Sequence, residues 1–256
     1  MSKKQVHSHP EPSWTGATAY STAGKRLTRW LSASDSKFLN GAGDDFTQNI
    51  NWRIFRIMAE FVEGFEFLAH LTREVTVFGS ARCSSGNRYY QTARELGGLC
   101  AKGKYTIITG GGPGIMEAAN RGAFEGGGES VGLDISLPME QRRNQYVKRS
   151  MGFRYFFTRK VMLSAASQAY VFFPGGFGTI DELFEIIVLI QTGKMSDEVP
   201  VILMGSAFWE PMLAWIRKAL FEEHRFIEKD DVKIFHVVDS AKEAFAIIQT
   251  THERQL

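Results

Sequence analysis

Two glycine-rich segments carry the clearest chemical signal in the sequence. They read Gly110-Gly111-Gly112-Pro113-Gly114 and Pro174-Gly175-Gly176-Phe177-Gly178-Thr179. Each stands between a strand-like run and a helix-like run, which leaves backbone N–H groups free at a helix N-terminus, where the dipole favours an anion. Glycine lets a phosphate approach the backbone closely, and the Thr179 hydroxyl adds a donor. The segments predict a phosphate site; the alternative interpretation is that the glycines only form tight turns.

Carboxylates follow both segments at the start of the next helices. We expect Glu117 in the first turn after the first segment, and Asp181 and Glu182 in the first turn after the second. Because consecutive helical residues differ in direction by about 100°, only one of Asp181 and Glu182 can face a ligand held by the loop. Such an acid can hydrogen-bond ribose hydroxyls and stabilise positive charge developing on the sugar. The helix dipole alone also favours carboxylates here, so a capping role stays open.

Arg159 and Lys160 form a third candidate group, at the start of an apolar helical run between the two glycine-rich segments. A cation near a helix N-terminus opposes the helix dipole, so a compensating partner is expected. The alternative is a solvated pair of side chains with no part in a site.

The elements that must position these residues alternate between strand and helix from residue 74 onward. Short β-branched or aromatic runs predict the strands Val75–Phe78, Tyr105–Thr109, Ser130–Ile135, Ala169–Phe173, Val199–Met204 and Val232–Val238. Helical spacing predicts the helices Arg94–Ala101, Met116–Phe124, Thr179–Gln191, Phe208–Phe221 and Ala241–Gln249. The alternation indicates one α/β domain over residues 46–256, with a doubly wound parallel sheet flanked by helices. Ligands of such sheets bind at the loops that follow the strands, including a third loop, Phe78-Gly79-Ser80.

The N-terminal part of the chain has a different composition. Residues 1–45 hold eleven Ser or Thr, one Val and no Ile, so they cannot bury enough apolar surface to offset the entropy of ordering. We predict a mobile or loosely packed arm there. Residues 46–70 then repeat apolar side chains at spacings of three and four, which predicts a leading amphipathic helix. That helix either covers one face of the sheet or also contacts another subunit.

Composition and missing motifs exclude several functions. The net charge of +2, from 30 basic and 28 acidic residues, provides no basic field for nucleic acid. No apolar run approaches the roughly 20 residues of a membrane span, and two cysteines are too few for a disulfide framework, so a cytoplasmic setting is expected. The six histidines form no convincing metal-ligand cluster, and no G-x-S-x-G motif is present. We therefore expect neither a metal nor a cofactor.

Two phosphate-binding templates do not fit. Glu117 takes the place of the third glycine in the dinucleotide fingerprint, and its loop follows the second strand instead of the first. Residues 98–105 almost spell a P-loop, but Tyr105 replaces the Mg²⁺-binding Ser or Thr, and the segment precedes its strand.

One segment resembles the signature of a known family. Pro174-Gly175-Gly176-Phe177-Gly178-Thr179, followed by Glu182, is similar to the PGGxGTxxE motif of the LONELY GUY (LOG) proteins. Arg159-Lys160, Phe78-Gly79-Ser80 and Gly110-Gly111-Gly112 resemble the family's other motifs. The resemblance covers roughly residues 74 to 250, and the N-terminal extension makes the chain similar to the longer bacterial members. It implies a Rossmann-like fold, a homodimer or higher homo-oligomer, and a subunit interface near the site.

The resemblance also implies roles for particular residues. Arg159 and Glu182 would be catalytic, with Glu182 at the ribose, where it stabilises an oxocarbenium-like transition state, and Arg159 near the phosphate or the departing base. The residues implied in nucleotide and phosphate binding are Gly175, Gly176, Gly178, Thr179, Ser80, Gly111, Gly112 and Glu117. The family is often labelled "possible lysine decarboxylase", but the sequence shows no convincing context for a pyridoxal-phosphate lysine.

The function that the resemblance implies is phosphoribohydrolase activity of the LOG type, which activates cytokinins. The enzyme would hydrolyse the N-glycosidic bond of a nucleoside 5′-monophosphate, AMP or an N6-substituted adenine nucleotide, to free base and ribose 5-phosphate. Two other hypotheses stay open. The chain could be a non-catalytic nucleotide-binding or sensing protein, or a scaffold that binds a partner through residues 46–70.

Overall fold

A parallel β-sheet organises the chain in the computed structural model, which describes residues 50–135, 143–165 and 167–254. Its seven strands are β1 Glu74–Phe78, β2 Thr106–Thr109, β3 Ser130–Ile135, β4 Arg149–Phe153, β5 Ala169–Phe172, β6 Val201–Met204 and β7 Phe235–Val238. Their order is β4-β3-β2-β1-β5-β6-β7, and every neighbouring pair is parallel. The predicted α/β fold with a doubly wound parallel sheet is confirmed. The predicted arm, residues 1–45, lies outside the described residues.

Helices connect the strands. In the described ranges they are α1 Ile50–Ala69, α2 Arg88–Lys102, α3 Ile115–Glu125, α4 Phe156–Ala165, α5 Phe177–Gln191, α6 Ser206–Trp215 and α7 Ala241–Ile248. The prediction of one α-helix over Phe208–Phe221 is wrong at its end, because the chain continues from α6 as a π-helix over Ile216–Glu223. The strand expected to begin at Val232 begins at Phe235, after a 3₁₀ turn over Asp231–Lys233. None of the described helices is long and apolar enough to cross a bilayer.

The helices form two layers because strand side chains point alternately to the two faces of the sheet. Val75 and Val77 lie in one apolar cluster, which also holds buried residues of α2, α3 and α7. Phe78 lies in the other cluster, with buried residues of α1, α4, α5 and α6. Leu68, fully buried, anchors the C-terminal part of α1 in this second cluster. From Phe55 onward the leading helix therefore covers one face of the sheet, which both of its interpretations predicted, and a contact of this helix with another subunit stays a prediction.

Strand β4 was not predicted. Its sequence, Arg-Ser-Met-Gly-Phe, contains no β-branched residue, and only Phe153 is buried. β4 is the edge strand beside β3, where backbone pairing on one side can hold a sequence that has little strand preference of its own. The strand matters for the site because the chain passes directly from it into α4.

Strand β1 is the point at which the order of the sheet reverses. It pairs with β2 on one side and β5 on the other, so the loops that follow β1, β2 and β5 share the carboxyl edge. The Ser80 backbone joins them, because its N–H donates to the Pro174 carbonyl (3.1 Å) and its carbonyl accepts from the Ile115 N–H (3.1 Å). The fold thus brings the three predicted loops into contact.

Glu60 of α1 caps the N-terminus of α4. Its buried carboxylate accepts hydrogen bonds from the backbone N–H groups of Arg154 (2.9 Å) and Tyr155 (3.4 Å) and from the Thr158 hydroxyl (2.6 Å). These are N–H groups that a helix start leaves without intrahelical partners, and a carboxylate is favourable at that end of the dipole. A side chain from a distant part of the sequence therefore fixes the first turn of α4.

Candidate active site

The loop between β5 and α5 exposes its backbone. Gly176 is the N-cap of α5, and a Cβ atom on Gly176 or on Gly178 would meet nothing within 4 Å. A Cβ on Gly175, in contrast, would collide with the Thr179 side chain. Packing therefore explains Gly175 but neither of the other two, and Gly178 lies inside a helix, where glycine costs about 1 kcal/mol relative to alanine. Open glycines at a helix N-terminus are the arrangement that lets an anion reach backbone N–H groups.

The acids after this loop lie deeper in α5 than expected. The helix begins at Phe177, two residues earlier than predicted, and its first turn contains no acidic residue. The prediction that Asp181 and Glu182 lie in the first turn is therefore wrong. The helix dipole acts mainly on the first turn, so it does not account for these carboxylates. Asp181 instead pairs with Lys160, at 2.8 Å between carboxylate Oδ2 and Nζ.

Glu182 is a buried carboxyl group with a free oxygen. The residue is 9% exposed, and its Oε2 has no hydrogen-bond partner among the described residues. Burial raises the pKa of Glu182 to about 7, the charges of Asp181 and Glu185 add to this, and the cations Lys160 and Arg159 oppose it. A carboxyl group with a pKa near neutrality can exchange a proton at physiological pH, which suits acid–base chemistry.

Arg159 lies close enough to Glu182 for their charges to interact. It is the fourth residue of α4, and a Cβ on Gly110 would lie 3.3 Å from its Nη1. Burial lowers the pKa of Arg159, while the nearby charges of Glu182 and Asp134 favour its charged form. Its Nε, like Glu182 Oε2, has no hydrogen-bond partner in the described part of the chain. The two side chains are not fully solvated, because Arg159 Nε is buried and Lys160 lies 2.8 Å from Asp181 and 3.5 Å from Glu185. A part of the pair in a functional site stays a prediction.

Buried hydrogen bonds, most of them from the Asn144 carboxamide, fix the conformation of the loop after β2. Gly111 has a φ of +72°, and a Cβ there would also collide with the Asp134 carboxylate, so both conformation and space require glycine. Its N–H donates to the Thr109 hydroxyl (2.9 Å). The Asn144 carboxamide donates to the carbonyls of Gly111 (3.1 Å) and Gly112 (3.0 Å) and to Asn120 Oδ1 (3.0 Å). Gly111 and Gly112 are thereby fixed in place next to Gly110, which lies against Arg159.

Ser80 and Glu117, two further predicted binding residues, have surroundings that differ from those of Arg159 and Glu182. The Ser80 hydroxyl accepts from the Arg82 N–H (3.1 Å), while its backbone joins the three loops. The Glu117 carboxylate accepts from the Tyr90 hydroxyl at 2.8 Å, in the helical layer opposite to α4 and α5. The structure brings Arg159, Glu182 and the glycine loops together, but it records no contact of Glu117 with this group. A role for Glu117 in nucleotide binding stays a prediction.

Sequence reasoning missed three residues of this region: Glu60, Asp134 and Asn144. An acidic residue inside the β-branched run of β3 was a usable signal for Asp134, because strand interiors disfavour Asp. Glu60 and Asn144 act through contacts distant in sequence, and nothing in their neighbours marks them. In the described ranges, no group of three or more His, Cys, Asp or Glu residues is arranged to hold a metal ion.

Comparison with known proteins identifies the family. A family model described as "Possible lysine decarboxylase" matches residues 116–248, just over half of the chain. The chain belongs to this family. It is 26% identical over 153 residues to a cytokinin riboside 5′-monophosphate phosphoribohydrolase from Rhodococcoides fascians, covering 59% of this chain and 77% of that protein. It is 29% identical over 164 residues to one from Arabidopsis thaliana, covering 62% and 76%. The predicted membership of the LOG family is confirmed.

Solved structures confirm the fold. A molybdenum cofactor binding protein from Rippkaea orientalis aligns with a TM-score of 0.52 at 18% identity, over 69% of this chain and 94% of that one. The molybdenum cofactor carrier protein of Chlamydomonas reinhardtii aligns with the same TM-score at 22% identity, over 69% and 95%. At this identity the likeness shows a shared Rossmann-like architecture.

Replacing the buried carboxyl of Glu182 should stabilise the protein at alkaline pH. Its folded pKa of about 7 lies above the unfolded value of 4.5, so the folded state keeps a proton that the unfolded state has lost, and stability falls as pH rises through this window. We expect Glu182→Gln to raise the free energy of unfolding by about 2–3 kcal/mol at pH 8, at roughly 1.4 kcal/mol per pKa unit, and to change it little at pH 4.5.

Urea denaturation at the two pH values measures this difference. Glu210→Gln, an exposed carboxyl change on α6, is the matched control and should leave the free energy of unfolding nearly unchanged at both pH values. A loss of stability in Glu182→Gln at pH 8 would mean that Arg159 and Lys160 outweigh the cost of burying the charge.

Proposed function

We propose that the protein hydrolyses the N-glycosidic bond of a nucleoside 5′-monophosphate, with AMP or an N6-substituted adenine nucleotide as its substrate. The observation that carries the proposal is the buried Glu182 carboxyl beside Arg159, next to a glycine loop that opens a helix at the reversal point of the sheet. The names of the relatives support the same chemistry. Glycosidic hydrolysis requires a carboxylate near the anomeric carbon and an anchor that holds the rest of the substrate in place.

The phosphate would bind at the start of α5. The N–H groups of Phe177, Gly178 and Thr179 belong to the first helical turn and therefore have no carbonyl partner within the helix. Gly176 and Gly178 leave the approach to these groups open. Since Glu182 lies in the next turn of the same helix, a phosphate held here would place the attached ribose near its carboxylate.

Glu182 would act on the sugar as the bond to the base breaks. The C1′–N bond breaks with its electron pair leaving on the base, so positive charge develops on the ribose ring. An ionised carboxylate stabilises that charge, and the effect is large where water is excluded. Water then forms the new bond to C1′, and a carboxylate with a pKa of about 7 can accept its proton. The departing base takes up one proton, from solvent or from the Glu182 carboxyl group, to become free base. Arg159, with its unsatisfied Nε, would bind the phosphate or the departing base.

The Glu182–Arg159 pair should be essential for the release of base. We expect Glu182→Gln and Arg159→Ala to lower the rate with AMP by about 100-fold or more, the usual effect of removing one group that stabilises a transition state. Liquid chromatography of free adenine measures the rate. Asp181→Asn, a change of the adjacent but exposed carboxylate, is the control and should keep most of the activity.

The same assay tests the alternative. A wild-type protein that binds AMP but releases no adenine would be a nucleotide-binding or sensing protein. Wild-type turnover in Glu182→Gln would show that another group performs the reaction.

The pH dependence should report the ionisation of Glu182. If its carboxylate is the active form, kcat/KM falls about tenfold per pH unit below pH 7 and levels off above it. Lys160 lowers the pKa of Glu182, so Lys160→Met should shift this acidic limb to higher pH. The second ionisation of the substrate phosphate would also give a limb, but that limb would not move in Lys160→Met. An unchanged profile in the variant would therefore assign the limb to another group.

We further propose that this cytoplasmic enzyme is a homodimer or higher homo-oligomer. Apolar side chains stay exposed on the helical layer that carries the site, among them Met58 (56%), Val62 (66%) and Val188 (49%). Phe177, beside the glycine loop, is 93% exposed. A second subunit on this face would bury these side chains and help to close the site.

A charge placed in this apolar face should dissociate the oligomer. We expect Val62→Asp to sediment as a monomer in analytical ultracentrifugation, because an aspartate cannot be buried in an apolar interface without a partner. Glu95→Lys, an exposed charge change on α2 in the opposite layer, should leave the assembly intact. A wild-type protein that sediments as a monomer would contradict the proposal.

A further inference from the structure

Asp134 is a second carboxylate at the carboxyl edge of the sheet. It is the penultimate residue of β3, and its Oδ2 accepts a hydrogen bond from Arg143 Nε at 2.5 Å. Its Oδ1 is buried and has no hydrogen-bond partner among the described residues. Burial raises the pKa of Asp134, and both Arg143 and Arg159 oppose the rise. The negative charge of the Asp134 carboxylate therefore interacts with the positive charges of both arginines.

The glycine loop after β2 fixes the relative position of the two arginines. Arg159 Nη1 lies against Gly110, and the Asp134 carboxylate lies against the next residue, Gly111. On the other side, the residue after Arg143 is bound to the same loop, because the Asn144 N–H donates to the Gly111 carbonyl at 2.9 Å. Arg143 is thus held beside the loop by its neighbour in sequence and by the Asp134 carboxylate.

One carboxylate between two guanidinium groups serves a physical purpose. Two cations close together repel each other, and a buried carboxylate is itself costly unless cations pair with it. The Asp134 carboxylate reduces the repulsion between Arg143 and Arg159 because it neutralises part of their charge. The two arginines in turn lower the cost of burying this carboxylate. The Arg143 side chain remains half exposed, so it is accessible to a ligand although its Nε is bound to Asp134.

The order of the strands shows which end of a nucleotide would meet this pair. The proposed phosphate position follows β5, whereas Asp134 ends β3. The two strand ends are separated by β2 and β1, which corresponds to about 14 Å at the usual spacing between strands. That distance is comparable with the length of an extended nucleoside monophosphate. A nucleotide with its phosphate at α5 and its ribose at Glu182 can therefore direct its base past Arg159 towards β3.

We propose that Arg143 binds the base of the nucleotide and that Asp134 is the positioning residue that holds Arg143 beside Arg159. This inference rests on the proposed function, since it extends the same site. A guanidinium group recognises acceptor atoms on the edge of a base, such as N7 of a purine, and its fork gives directional contacts that lysine does not reproduce. Arg143 thus determines selectivity for the base, while the loop after β5 determines selectivity for the phosphate.

Calorimetric binding of AMP and of ribose 5-phosphate to the full chain tests the proposal, because the second ligand lacks only the base. Arg143→Gln should weaken AMP about tenfold and leave ribose 5-phosphate within twofold of wild type, with Arg143→Lys only a partial rescue. Arg94→Gln, which breaks the exposed ion pair with Glu125, is the control and should change neither affinity. Equal weakening of both ligands would place Arg143 at the phosphate, and unchanged binding of both would make the pair structural; either result overturns the proposal.

A double-mutant cycle tests the positioning role of Asp134. Asp134→Asn should weaken AMP about as much as Arg143→Gln, and the double variant should bind no more weakly than Arg143→Gln alone. Additive losses would overturn this role. The binding measurements are made in the Glu182→Gln background, which is expected to release base at least about 100-fold more slowly, so that they are independent of turnover. A wild-type protein that binds AMP but releases no base would contradict the proposed hydrolysis and leave the assignment of Arg143 intact. A wild-type protein that binds no AMP would contradict both proposals.

Discussion

The hydrogen-bonded position of β1 between β2 and β5 is the constraint on which the rest of the molecule depends. Strands are added outward from β1 in one direction as far as β4, and then outward from its other side through β5 to β7. The loops after β1 and β5 therefore leave the sheet towards opposite helical layers, and a crevice opens between them. Ser80 joins the loops across this crevice through its backbone. The pairing of β1 with β2 and β5 therefore positions the loops and helices that carry the residues of the candidate site.

The candidate site lowers the stability of the folded protein. Glu182 Oε2, Arg159 Nε and Asp134 Oδ1 are buried polar atoms without partners among the described residues, and each such atom costs about 1–3 kcal/mol. The two apolar clusters on either side of the sheet consist of ordinary, fully buried side chains. A fourth such atom, Gln168 Oε1, lies just before β5 at the opposite edge of the sheet, so three of the four in the described part of the chain are concentrated at the candidate site. A concentration of unsatisfied polar groups is the pattern expected of a functional site.

Much of this arrangement could be predicted from the sequence, because it depends on local signals. The β-branched runs predicted six of the strands to within a few residues. Residue type and spacing marked the glycine loops, the Arg159–Lys160 pair and the Asp181–Glu182 pair as candidates, and the resemblance to the LOG family singled out Arg159 and Glu182. The failures were cases in which tertiary contacts override local preference. β4 is held by pairing with β3 and not by its composition. The early start of α5 at Phe177 could not be read from two glycines that have low helix propensity. Asn144 acts through carbonyl groups more than thirty residues earlier in the chain.

The cap that Glu60 places on α4 has a consequence for how such a chain can vary. Glu60 stands 94 residues before Arg154, yet its carboxylate satisfies the amide groups from which the arginine-bearing helix begins. The leading helix is therefore an integral part of the domain rather than an attachment to it. A related chain that lacked this helix would need a local acceptor, such as a serine or aspartate just before α4, to take over the same amides. Residue 60 and Thr158, whose side chains share a hydrogen bond, are thus coupled although they lie far apart in the sequence.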